Sequence, residues 1–195
     1  MKLQDLFKKK TLADYIIYAS VIVGGVLFDQ LTKWLTVANM ELWEHIPVIK
    51  FGDLTAASFL YIRNDGAAFG MLDSAPWVFN TVSTVALVAM LAFLFLGHAE
   101  SKLSGIAIGM MISGGIGNMI DRVALGYVVD MIHLDIFNET SLFASINTVF
   151  NVADSFVCIG AVLLVVALVL EMVNEMKKKK LANPSDTDDS DKDVK

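Results

Sequence analysis

The chain has 195 residues, of which 55% are hydrophobic and only 18% charged, and its mean hydropathy is +0.60. That balance suits bilayer-spanning segments and excludes an ordinary soluble domain. The formal net charge of −6 is gathered in a tail carrying Asp186, Asp188, Asp189, Asp191 and Asp193; no basic stripe runs through the body, so no nucleic-acid partner is expected.

In chain order, the first apolar stretch runs from Tyr15 to Phe28 and continues as an amphipathic segment to about Ala38. Lys8, Lys9 and Lys10 before it resemble the start of a secretory signal peptide. However, no small-residue cleavage site follows, and the pattern runs on into Asp29-Gln30-Leu31-Thr32-Lys33, so a retained span is expected. The loop of about 39–74 is rich in β-formers: Ile46, Val48, Ile49 and Phe51, then Ser58 to Ile62, with Gly52-Asp53 between the runs. It reads as a small surface sheet with a buried apolar side, and Trp43 and Trp77 suit the headgroup layer. Further spans are expected at Ala75 to Leu96, Leu103 to Ile120 and Ser155 to Leu170. Within the last of these, Cys158 reads as a small packing residue, and a single cysteine cannot form an internal disulfide. Lys2, Lys8, Lys9 and Lys10, then Lys102, then Lys177 to Lys180 mark the cytoplasmic side, while the opposite loops hold only Lys50, Arg63 and Arg122. The expected fold is a membrane all-α bundle of four transmembrane helices with a small extracytoplasmic β-sheet on the membrane surface. It forms a single domain over 1–181, with both termini inside and a disordered acidic tail over 182–195.

Gly105, Gly109, Ser113 and Gly117 recur every four residues and form a ridge of small side chains that lets helices approach closely; Asp121 is next on that ridge. Polar groups gather at the outer ends of the spans. They are Asp29 with Lys33, Asn118 with Asp121 and Arg122, then Asp130, then Asn151 with Asp154. Ionisable groups at membrane depth are costly and point to function. Each pair also has a structural reading: a helix-end ion pair for Asp29–Lys33, an interfacial anchor for Asp121–Arg122, a helix start for Asn151 and Asp154. Asp130, inside the apolar run Gly126 to Ile132, has no comparable structural excuse. There is no Gly-x-Ser-x-Gly elbow and no His-Glu-x-x-His, and His45, His98 and His133 are scattered and read as surface or interface residues. Two carboxylates near each other share a proton and can carry out acid–base hydrolysis without a covalent intermediate, one as base and one as acid.

Five stretches resemble the sequence boxes of the lipoprotein signal peptidases (signal peptidase II) in order and spacing. They are Asp29 to Lys33, Asn64-Asp65-Gly66-Ala67-Ala68-Phe69-Gly70, Gly114 to Arg122, Gly126 to Asp130, and Phe150 to Ser155. The resemblance covers about Tyr15 to Met172. It implies an aspartic endopeptidase, with Asp130 and Asp154 as the catalytic pair. Asn64, Asn118, Arg122 and Asn151 would line the site, and Asp29, Lys33, Gly66, Asp121 and Ala153 would support it. Met131 departs from the pattern, where many members have Phe, and the C-terminal extension lies outside it. The implied substrate is a diacylglyceryl-modified bacterial prolipoprotein, cut just before the lipidated cysteine. The implied setting is a monomer among the lipids of the cytoplasmic (inner) membrane, its site at the outer face, with no cofactor. A proton-coupled transporter would instead place its acids near the bilayer midplane on broken helices, and a non-catalytic assembly factor would leave the polar clusters unexplained.

Overall fold

The computed structural model describes residues 10–65, 76–135 and 149–182, with backbone alone at 76–80, 180 and 182. Helix α1 spans Leu12–Asn39 and begins at a capping box, in which Thr11 accepts from the Asp14 backbone and Asp14 accepts from that of Thr11. Strands β1 (His45–Phe51) and β2 (Leu54–Asn64) follow, then α2 (Pro76–Phe95) and α3 (Lys102–Leu125). Strands β3 (Val128–His133) and β4 (Val149–Phe150) lead into α4 (Val152–Ala182). Ser101 caps the start of α3. Gly126, at φ 84°, ends it in a left-handed turn and donates its N–H to the Arg122 carbonyl. A residue with a Cβ would resist that φ, so glycine turns the chain sharply from α3 into β3.

The expected helices are all present, each within a few residues at its start. The exception is α4, which opens at Val152 and continues far beyond Leu170. Among the described residues α1, α3 and α4 are long and apolar enough to cross a bilayer, whereas the described apolar part of α2 is the shorter stretch Thr81–Phe95. Helix α3 is central and packs on the other three. The small-residue ridge faces α1: Gly105 lies under the Tyr18 ring, Gly109 against Tyr18 and Val21, Ser113 on Gly25, and Gly117 against the Asp29 carboxylate. A second face, at Gly114, meets the Ala153 carbonyl of α4, where any Cβ would collide with backbone. The outer surfaces of α1 and α4 expose Ile16, Val23, Leu27, Phe28, Leu31, Val162, Val165 and Leu168. That apolar area far exceeds the patches of soluble monomers and belongs against lipid.

The sheet is antiparallel in the order β1-β2-β3-β4. The expected hairpin turn is at Gly52, with φ +63°. The expectation of a buried apolar side fails for β1, in which every residue is exposed. Among the described residues the core of the sheet is Tyr61, Val129 and Met131 of the central strands, with Met40 and Tyr127 packed on it, and β1 lies outside that core with no layer packed over either of its faces. The sequence expectations at Gly66 and over the acidic tail fall outside the described residues, as does the side chain of Trp77.

Candidate active site

Helix ends and one strand bring the predicted polar residues into a single hydrogen-bonded network. On α1, Asp29 and Lys33 are one turn apart and almost fully buried. The Lys33 ammonium lies 2.9 Å from Asp29, 3.0 Å from Asp121 of α3, and 2.9 Å from the Asn118 side-chain oxygen. Asp29 also accepts the Ala153 N–H at 2.8 Å, and Asp121 accepts the Val129 N–H at 3.0 Å. These carboxylates therefore tie the start of α4 and strand β3 to the α1–α3 pair. The helix-end ion pair read for Asp29–Lys33 is present, and it is buried: Asp29 is 0% and Asp121 3% exposed.

Asp130 and Asp154 meet across Asn151. The Asn151 side-chain amide donates to Asp130 at 2.7 Å and to the Asn118 oxygen at 3.0 Å, while its backbone N–H donates to Asp154 at 3.1 Å. Asn118 donates to Asp154 at 2.8 Å, and Asn64 to Asp130 at 2.9 Å. The Asp154 N–H returns a bond to the Asn151 side chain at 2.9 Å, so the helix start is also capped. Burial pushes the Asp130 carboxyl up to about 6; the nearby Asp154 charge adds to this, and the Asn64 and Asn151 hydrogen bonds oppose it. Arg122 is in electrostatic reach of Asp154, Asp130 and Asp121.

A cavity of about 310 Å³ opens beside this pair, lined by Ser83, Gly114, Asn118, Arg122, Asp154 and Cys158 among others. A larger cavity, of about 460 Å³, is lined mainly by apolar residues such as Met90, Phe93, Ile108 and Leu164, with Glu100 and Glu171 also on its wall, and includes none of the polar residues of this network. Cys158 is therefore not the packing residue expected: it is exposed, one turn beyond Asp154 on the same helix face. Gln30 was also missed. Its amide donates to Asp29, to the Gly117 carbonyl and to Asp121 at 3.2, 3.1 and 2.9 Å. A polar residue beside Asp29 in an otherwise apolar span was its one sequence signal. The histidines are less scattered than expected, because His133 is buried and its ring meets that of His45.

The site thus unites Asp29, Lys33, Asn64, Asn118, Asp121, Arg122, Asp130, Asn151, Ala153 and Asp154; Gly66 is outside the described residues. The sequence profile described as signal peptidase (SPase) II matches residues 21–170. Two similar solved structures are of bacterial membrane enzymes determined by the in meso method. One, at 2.3 Å resolution, is 31% identical with a TM-score of 0.67 over 86% of this chain and 94% of that one. The other, at 1.9 Å, is 31% identical with a TM-score of 0.65 over 84% and 96%.

Proposed function

The chain belongs to the signal peptidase II family, and from that premise we propose that it is an intramembrane aspartyl endopeptidase, removing the signal peptide from diacylglyceryl-modified prolipoproteins just before the lipidated cysteine. The observation that carries the mechanism is the Asn151 bridge between Asp130 on β3 and Asp154 in the first turn of α4. Asp130, whose burial disfavours its charge, holds the shared proton. Asp154, on the cavity, takes a proton from water as the water oxygen attacks the scissile carbonyl carbon. The proton on Asp130 passes to the carbonyl oxygen. As the C–N bond breaks, Asp154 gives its proton to the leaving nitrogen, the α-amino group of the lipidated cysteine, and a hydroxyl of the tetrahedral intermediate returns a proton to Asp130, which restores the pair. Asn64 and Arg122 hold the substrate backbone, while Asp29, Gln30, Lys33 and Asp121 hold the protein frame.

All four helices span the bacterial cytoplasmic (inner) membrane in this reading. The lysines before α1, at the α2–α3 turn and at the end of α4 lie inside, and the sheet lies outside. The protein works as a monomer among lipids. Two acyl chains hold the substrate in the bilayer, at about 0.8 kcal/mol per buried methylene, and so set the depth of the bond to be cut. The test is cleavage of one precursor with and without diacylglycerol in matched micelles, the product mass locating the cut. Cleavage of the lipidated form only, just before its cysteine, is expected. Equal rates, or a cut elsewhere, would refute the reading.

A further inference from the structure

Outside this network, three side chains with metal-ligating atoms converge at the outer sheet. His45 Nε2, His133 Nδ1 and an Asp135 carboxylate oxygen all lie within 4.8 Å of one another. Strand register brings them together. His45 pairs with Leu60 and His133 with Ser58, so two histidines from β1 and β3 approach across β2, their ring centroids 6.0 Å apart. Asp135, two residues beyond β3, places Oδ1 3.1 Å from each of the two ring nitrogens.

The geometry points to a structural zinc-type divalent cation site formed by His45, His133 and Asp135, which clamps the exposed edge strand β1 to β3. Oδ1 faces both rings, Ser58 is in hydrogen-bonding reach of the same carboxylate, and Oδ2 is buried with no close hydrogen-bond partner among the described residues. Burying a carboxylate is costly, and a cation held by Oδ1 and the two rings offsets that cost. Ligands about 2.0–2.1 Å from tetrahedral zinc stand roughly 3.3 Å apart, so the two 3.1 Å carboxylate–imidazole distances need only a few tenths of an ångström of adjustment, and the two ring nitrogens, within 4.8 Å of each other, close on the metal by rotation of the exposed His45 ring. Two imidazoles and one carboxylate suit zinc and its transition-metal neighbours better than magnesium or calcium, which take oxygen ligands. His45 is 43% exposed and leaves an entry path, while His133 is 9% and Asp135 12% exposed. Ser58, 3.3 Å from His133 Nδ1, is a polar neighbour able to orient a ligand or a bound water. His133 lies three residues from Asp130, roughly 10 Å along the strand and on its opposite face. The cation therefore steadies the strand that carries Asp130 and takes no part in hydrolysis.

The test uses the full chain without a polyhistidine tag, stripped with chelator and dialysed against Zn²⁺ alone or Co²⁺ alone. Wild type is expected to retain one equivalent of zinc, to show the visible absorption of tetrahedral cobalt, and to gain thermal stability with added Zn²⁺. His45→Gln and Asp135→Asn, at accessible or rim positions, are expected to fold and to lose all three responses. Failure of wild type to retain zinc, or equal retention by the folded variants, would overturn the site and leave a hydrogen-bonded clamp.

Discussion

Two pairs of carboxylates, all buried except the half-buried Asp154, sit side by side in this protein and are treated in opposite ways. Asp29 and Asp121 share an ammonium, with Lys33 within 3.0 Å of both. Asp130 and Asp154 receive their close hydrogen bonds from the neutral amides of Asn64, Asn118 and Asn151, with Arg122 further off in electrostatic reach. A directly paired ammonium ties its two carboxylates to one point and so makes them struts of the frame. Amides orient a carboxylate and leave its proton exchangeable. The network therefore separates an ion-paired frame from an amide-held pair, though both are built from the same residue type.

The sharpest way to test that contrast is to remove the exchangeable proton. Asp130→Asn and Asp154→Asn are each expected to lower turnover of lipidated precursor by at least about 100-fold, as expected for loss of a general acid or base, while the protein still folds. Near-normal cleavage by either would remove that residue from the chemistry. Next comes the frame. Lys33→Met leaves two carboxylates buried without their cation, and a loss of about 3–5 kcal/mol is expected from denaturation in detergent. An unchanged midpoint would mean that Lys33 does not balance the pair.

A subtler distinction lies in pH. Asp130 titrates near 6, above its unfolded value, because burial disfavours its charge. Its contribution to stability is thus fully present below the unfolded value, near 4, and is lost as pH rises through about 6. If Asp130 holds the shared proton, kcat/KM falls through the same region on the alkaline side. The Asn64 bond favours the charged form, so Asn64→Ala should move that limb to higher pH, and a shift to lower pH would contradict the assignment. The smallest expected effect is at Cys158, which borders the cavity but bonds to neither set of carboxylates. Cys158→Ala should cleave at the wild-type rate, whereas a lipid-soluble maleimide should slow wild type and not the variant. Equal slowing of both would place the modified group elsewhere.

The sequence by itself determined the helices and the polar residues that converge, because apolar runs, caps and turn glycines are local signals. Thr11, Ser101 and Gly126 bound their helices through contacts within four residues, and charges in apolar runs stand out without knowledge of the partner. Only the tertiary structure decided what each charge faces. The burial of Asp29 and Asp121 depends on glycines of α3 allowing α1 to approach, and the three-way bonding of Gln30 exists only across that contact. Burial of a strand is equally nonlocal: β1 and β2 carry similar apolar patterns, yet β1 is exposed throughout because the core of the sheet forms on the central strands. His45 and His133 are far apart in the chain and adjacent in space because antiparallel register across β2 aligns them. Cys158 has apolar neighbours in sequence, but its place one turn beyond Asp154 puts it on the cavity wall.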